Sequence, residues 1–537
     1  VGCFLDRGRN EKLVCIPGWK EFDGMIASPP KTSDKILPLE DLAGVLGKLK
    51  AQGKTVVHCH GVFDLMHVGH IRHFEQAKGL GDILIVTVTP DRYVNKGPNR
   101  PVFTDAHRAW AIAALGCVDY VAVNRWPTAI DTIKLLQPSI FVKGSEYRDA
   151  SKDRTGNISL EEQSVRGVGG RIEFTDDIVF SSSSLINRYF GVFPEKTEQF
   201  LTAFSAKHGA DQILHYLEAA SKLKVLVLGE TIIDEYQYCE TLGKAGKEPI
   251  LVARHISSER FPGGILAVAN HVAAICDQVT MLSCLGEIDS QEDFVREHTQ
   301  AKIEKIFLTV PGVPTIVKTR FLESYPFQKL FEVYVMGNTE QQSVQTAAVG
   351  QKLSEILPNY DAVIVADYGH GMISPEVADV LSGAAKFLAI NTQVNAGNHG
   401  FNTVSKYQRA DYVSVSEREL RLEARSPHRD LREIVKEVSA QLGAERLMIT
   451  RGGQGCLCYS RSEGFHEIPA FTGHVVDRVG AGDAVLAITA LCAAQQAPID
   501  VLGFIGNCVG SQAVGIVGNR SAIERVSLAR YIECLLK

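Results

Sequence analysis

The sequence predicts an α/β protein of two modules, each built around a mostly parallel sheet. Three observations carry this. Short apolar runs bounded by turns alternate with amphipathic stretches of helical length, the pattern of βαβ units. The 537 residues exceed the roughly 150 of one ordinary domain. The alternation also lapses once, across residues 194–222, and begins afresh at Lys224 with the run VLVLGE after Lys224.

Residues 1–35 carry Pro17, Pro29, Pro30 and four glycines without an apolar period, and read as an irregular arm. The chain opens on Val1 rather than Met, so it reads as processed or incomplete. The first module is expected over 36–193. Residues 42–52, 71–78 and 106–115 have helical spacing, and 54–58, 82–88, 118–123, 140–143 and 171–174 read as strands. In 194–222, Phe200, Phe204, Ile213 and Leu217 keep a helical period, which predicts a helical connector. The second module is expected over 223–537, with strands at 279–283, 362–366, 387–391, 412–415 and 446–450. Residues 316–336 alternate like exposed strand, which predicts a small accessory sheet.

Composition excludes several classes. Hydrophobic residues at 45% and charged residues at 22% exclude a disordered or fibrous chain. Lys plus Arg is 56 against 62 Asp plus Glu, and a net charge of -6 argues against a nucleic-acid binder. No apolar run reaches the roughly 18 residues of a membrane span, and no basic stretch followed by an apolar core marks a secretory signal. Twelve cysteines are scattered without a C-x-x-C, as expected of reduced thiols in a cytoplasmic protein.

The first candidate site is the string HGVFDLMHVGH at a strand-to-helix junction. A helix N-terminus offers unpaired amides and a positive dipole end to phosphate. Gly69 permits close backbone approach. His67 and His70, three residues apart, can share a face and donate to phosphate oxygens as pyrophosphate leaves. Incidental surface histidines or a metal pair are the alternatives, and no third metal ligand is obvious. Gly61, Phe63, Asp64, His67, Gly69 and His70 resemble the signature of the cytidylyltransferase-like nucleotidyltransferases. Further segments are similar in order: DRYVNKGPNRPV with Lys96 and Arg100, then Arg108, then VKGSEY with Lys143, then SSSSLI with Ser181, Ser182, Ser183 and Ser184. The resemblance covers 54–190. It implies a Rossmann-like domain in which a sugar phosphate attacks the α-phosphorus of ATP or CTP, with Mg2+ on the phosphates. His67, His70, Lys96 and Arg108 are then catalytic, Arg100 binds substrate, and Lys143 and the four serines bind nucleotide.

The second candidate site is VVDRVGAGDAV. A glycine-rich turn opening a helix makes an anion hole of backbone amides. Asp483 beside it suits a general base taking a proton from an attacking hydroxyl; the plain alternative is a helix N-cap. Gly480, Ala481, Gly482 and Asp483, with Asp234, with Gly263, Gly264 and Asn270 in FPGGILAVANHVA, and with Thr450, Gly452 and Gly453 in TRGG, resemble the ribokinase-like (PfkB) sugar kinases over 224–535. The resemblance implies an anion hole at 480–482 and nucleotide contacts at Thr450, Gly452 and Gly453. It also implies a sugar pocket at Asp234, Gly263, Gly264 and Asn270, a metal contact at Glu419, and a β lid over 316–336 able to join a homodimer. Three departures stand out. Ser416 replaces an Asn, Asn391 replaces an Asp, and Arg478 and Val479 replace small hydroxyl residues before the glycines.

Together the modules resemble the bifunctional heptose-phosphate kinases and nucleotidyltransferases of surface-polysaccharide (lipopolysaccharide) synthesis, with the order of modules reversed. The substrates implied are a sugar phosphate and nucleotides, with no nucleic acid and no membrane partner. The alternative is an active nucleotidyltransferase whose kinase-like module binds sugar or acts as a scaffold without turnover.

Overall fold

The computed structural model describes residues 32–537 apart from 95–96, 98–99, 149–152, 154–155, 177–192, 326, 339–344 and 473–474. Lys96, Ser181, Ser182, Ser183, Ser184 and residues 1–31 of the expected arm therefore lie outside the described residues.

The first module is a five-stranded parallel sheet of β1 (Val56–Gly61), β2 (Ile83–Val88), β3 (Tyr120–Val123), β4 (Ile140–Lys143) and β5 (Arg171–Phe174), in the order β3-β2-β1-β4-β5. It is Rossmann-like. The strand order reverses between β1 and β4, so a crevice opens at their carboxyl ends. Strands buried on both faces read as apolar runs, which is why VVHC and ILIVTV were legible.

The second module is a ribokinase-like α/β unit. Its main strands are β6 (Lys224–Gly229), then a long hairpin of β7 (Thr231–Lys244) and β8 (Leu251–Gly264), then β9 (Gln278–Ile288) and β10 (Glu304–Pro314). β11 (Ile316–Glu323) and β12 (Gln328–Val335) follow, then β13 (Ala362–Asp367), β14 (Leu388–Thr392), β15 (Tyr412–Ser416), β16 (Arg446–Thr450), β17 (Cys456–Ser460) and β18 (Gly464–Ile468). The large sheet runs β10-β9-β6-β13-β14-β15-β16-β17-β18, parallel except for its last two strands. A four-stranded lid runs β12-β11-β7-β8. Residues 316–336 do form lid strands, but half of the lid is the β7–β8 hairpin.

The core of this module takes in Leu201, Phe204, Ile213, Leu214 and Leu217 from helices Glu195–Lys207 and Ala210–Ala220. The helices expected in the connector are therefore present, and they pack into the core of this module. At the centre lies helix Ala481–Ala494, buried from Ala484 to Ala493, its small side chains admitting close approach to the sheet.

Candidate active sites

At the end of β1 the chain turns through Phe63 and Leu65, whose φ values of 50° and 44° are left-handed. A Cβ on Gly61 would lie 2.9 Å from the Phe63 ring, so a larger residue there would have to displace that ring. His67 caps helix Val68–Lys78, its Nδ1 accepting from Gly69 N at 3.1 Å. The His67 and His70 rings stack at 3.9 Å, and Phe63 meets His70 edge-on at 5.5 Å. The motif thus brings both imidazoles to the helix N-terminus at the crevice. Asp64 is structural: its carboxylate accepts from Val102 N at 2.7 Å and Phe103 N at 3.1 Å, anchoring the following loop.

Two cations expected at this site are engaged elsewhere. Arg108 is 2% exposed; it donates to the carbonyls of Phe103 at 2.9 Å and Thr89 at 2.8 Å and pairs with Asp91 at 2.5 Å. Its guanidinium ties three loops together and leaves no free fork for substrate. Lys143 is paired with the buried Glu161 at 2.8 Å and lies over the Tyr147 ring. Arg100 lies beside Gly97, which packs against Cys534 of helix Arg525–Leu535, so this loop reaches the second module. Sequence reasoning passed over Thr87, which joins His58 and His60 at 2.7 and 2.8 Å. Burial pushes His58 down to about 3 and also lowers His60, so both are neutral.

In the second module, β6 and β13 flank the point where strand order reverses. A cavity of about 330 Å³ lies between their carboxyl ends and the lid, lined among others by Asp234, Gly264, Lys318, Tyr368, Gly480 and Asp483. Asp483 sits in the first turn of its helix, and Tyr368 Oη donates to its Oδ1 at 2.9 Å. Burial pushes its carboxyl up to about 7; Asp234 and Glu419 add to the rise, while Tyr368 and Lys318 oppose it. That value suits a base working near neutral pH. Gly480 has φ 78°, and a Cβ there would overlap the buried Asn519. Gly264 has φ 52°, and a Cβ would meet Glu230 O at 2.8 Å. Gly263 packs on the Asp234 carboxylate.

Asp234 forms a buried ion pair with Arg320, which also reaches Glu332 at 2.8 Å. Asn270 does not reach the cavity: its amide donates to His298 O at 2.9 Å and accepts from Gln300 N at 3.0 Å, holding a turn. Two acids missed in the sequence organise the site. Glu230 accepts from the backbone of Tyr368 and His370, both at 3.0 Å. Burial, helped by Asp367, raises its carboxyl to about 7. Asp477 accepts from Tyr236 Oη and Lys329 Nζ, both at 2.6 Å, and from Val479 N and Gly518 N, tying the lid to the glycine turn. A lone acid beside a buried strand or a glycine turn was the available signal.

Glu419 forms a capping box with Ser416 and also accepts from Val394 N at 3.2 Å. Burial raises its pKa. Asn391 donates to Ser414 O at 2.6 Å. Among the described residues no three His, Cys, Asp or Glu side chains converge as a metal site. One carboxylate with free lone pairs still fits Mg2+, which is commonly held by one or two carboxylates, waters and substrate phosphates. Ser416 and Thr450 also line an adjoining open groove of about 1230 Å³, with Gly452, Arg418, Arg421 and Arg451. Gly453 lies in the same turn, Gly452–Gln454.

Residues 222–525, more than half the chain, match the pfkB family carbohydrate kinase model. The chain belongs to the pfkB family. Residues 58–188 match the cytidylyltransferase-like model, so a pfkB domain follows a cytidylyltransferase-like domain on one chain. The bifunctional protein HldE of Syntrophotalea carbinolica is 39% identical over 144 residues, 26% of this chain and 28% of that protein. HldE of Helicobacter pylori strain P12 is 44% identical over 160 residues, 29% of this chain and 32% of that protein. The chain thus spans about a third of the length of these curated relatives. A putative ribokinase from Agrobacterium tumefaciens superposes with a TM-score of 0.47 at 15% identity, over 58% of this chain and 97% of its own.

Proposed function

We propose that the chain is a bifunctional enzyme of nucleotide-sugar synthesis, with a nucleotidyltransferase domain over 36–193 and a carbohydrate kinase domain over 223–537. In the kinase domain, Asp483 takes the proton of a sugar hydroxyl as that oxygen attacks the terminal phosphorus of ATP. Backbone amides at 480–482 receive the developing charge. Asp234 and Gly264 hold the sugar; Thr450 and Gly452 face the nucleotide. Glu419 would hold Mg2+, which supplies charge neutralisation on the phosphates when bound. In the other domain a sugar 1-phosphate oxygen attacks the α-phosphorus of ATP or CTP and pyrophosphate leaves. His67 and His70 donate to the phosphates, so positioning and charge stabilisation carry the reaction. The sugar is read as a heptose destined for a bacterial surface polysaccharide, made in the cytoplasm.

The observation that carries the kinase reading is the Asp483 carboxyl, raised to about 7 in the cavity that Asp234 and Gly264 share. The test is to measure ADP and pyrophosphate release separately over a panel of sugars and sugar phosphates. Asp483→Ala abolishes only the first and His70→Ala only the second. ADP formation that survives Asp483→Ala overturns the base assignment. Asn391 and Ser416 favour a second reading, a sugar-binding scaffold without turnover; tight sugar binding with no ADP formation would select it. We also propose a homodimer through the lid, whose surface exposes Leu251, Ile256, Phe331 and Val333.

A further inference from the structure

Asp477 stands three residues before Gly480 and is 3% exposed. A carboxylate that deep keeps its charge only where donors surround it. Its Oδ1 accepts from Val479 N at 3.1 Å and from Lys329 Nζ at 2.6 Å. Its Oδ2 accepts from Gly518 N at 3.0 Å and from Tyr236 Oη at 2.6 Å. Each oxygen therefore bridges one backbone amide near the glycine turn to one donor of the lid. Lys329 on β12 is the charged one of these four donors. Burial works against the Asp477 charge, yet Lys329, Tyr236 and the two amides outweigh it and hold the carboxyl below its usual range. The seam is wider than one residue. Tyr236 on β7, Phe261 on β8 and Leu322 on β11 form a small buried cluster against which Val517 packs. A Cβ on Gly518 would lie 2.8 Å from the Phe261 ring, and the next residue, Asn519, packs on Gly480. Arg520 pairs with Glu259 of β8 at 2.6 Å, but at the surface, where such pairs contribute little. The Lys329 pair has a buried acid, and losing one partner there is costly.

We propose that Lys329 is a positioning residue for phosphoryl transfer: its ammonium fixes Asp477, and through Asp477 the amides at 480–482, while the lid is seated. Lys329 touches no substrate in this role. Seating of the lid then does more than cover the sugar. It sets the donors that receive charge in the transition state, which act only when aimed in advance. The inference rests on the kinase reading of the cavity, and one of its two tests needs no turnover, so either can fail alone.

The first test is amide hydrogen exchange of the unliganded full chain, read by mass spectrometry. In Lys329→Met, exchange is expected to quicken at 477–483 and 517–519 as well as in β12, with β13 unchanged. The second is steady-state ADP formation over the sugar panel. A displaced anion hole lowers kcat by about 10–100-fold, with the sugar KM changed far less. Lys329→Arg keeps the charge and the hydrogen bond, and it retains most of kcat. Lys329→Met strands a buried carboxylate, so a second variant combines it with Asp477→Asn. That double variant carries neither charge, folds, and still shows quickened exchange at 477–483 and low kcat. Exchange that quickens in β12 alone, a raised KM with unchanged kcat, or a double variant with wild-type kcat each overturns the positioning role. Lys329-dependent exchange at the turn in a chain that forms no ADP from any sugar would instead overturn the kinase reading.

Discussion

Asp483→Asn separates the two consequences of one buried carboxyl. Folding raises this pKa from 3.8 to about 7, so the folded state binds the proton more tightly than the unfolded chain. The cost to folding is absent below about pH 3.8, grows as pH rises toward about 7, and is complete above it. At about 1.36 kcal/mol per unit, the upper bound is about 4 kcal/mol. The carboxylate opens onto the cavity, where water screens it, and about 1–2 kcal/mol is the expected net value. Asparagine keeps the Tyr368 hydrogen bond through its carbonyl oxygen and carries no charge. The variant is therefore expected to melt a few degrees above the wild type at pH 8, with the gap narrowing as pH falls below about 7 and closing only below about pH 3.8. Its sugar-dependent ADP formation falls by about 10²–10⁴-fold, the usual worth of a general base. Paired thermal melts across pH and a coupled ADP assay check both. A variant that melts lower at pH 8, or that turns over normally, refutes the argument.

The other predictions use the same assays. Asn391→Asp adds a negative charge to the cavity that holds Asp483, so the alkaline-rising limb of ADP formation shifts to higher pH; an unmoved limb would show the two groups are uncoupled. Arg108→Met leaves Asp91 and the carbonyls of Thr89 and Phe103 without their donor. It should destabilise the first domain by about 3–5 kcal/mol in urea unfolding, whereas a purely catalytic arginine would change turnover and not stability. Gly480→Ala forces a left-handed φ and a clash with Asn519. It should lower stability by more than about 1 kcal/mol and abolish ADP formation while leaving pyrophosphate release intact.

Parallel strands were legible because burial on both faces makes them apolar runs. Ile140–Lys143, Arg171–Phe174 and Arg446–Thr450 were read with the bounds they adopt. The β7–β8 hairpin was not. Its β7 strand mixes Asp234, Glu235, Gln237 and Glu240 into the sequence, and β8 is exposed along most of its outer half, so no two-residue period develops. In the same way Asp483, Gly480 and Gly264 were legible as residues of one cavity because glycine turns that open helices mark them, whereas Asp234, inside β7, came only with the family resemblance. Glu230 and Asp477 were not, because their partners are distant in sequence: Glu230 to Tyr368 spans 138 residues and Asp477 to Tyr236 spans 241.

The same non-locality decides which cations are available for phosphate. A motif flags a lysine or arginine, but whether its charge is free depends on an acid elsewhere in the chain. Arg108 is taken by Asp91 and Lys143 by Glu161. Arg320 is taken by Asp234, 86 residues away. Lys318 and Arg478, which no motif flagged as binding residues, are the cations lining the kinase cavity without such an acid. The proposed phosphate sites of the two domains therefore differ in what the described residues supply. The first places two stacked imidazoles at a helix N-terminus, with Arg100 on the loop that follows. The second adds cations to its glycine turn. In the two proposed reactions both sets of donors would stabilise charge that develops on phosphate oxygens.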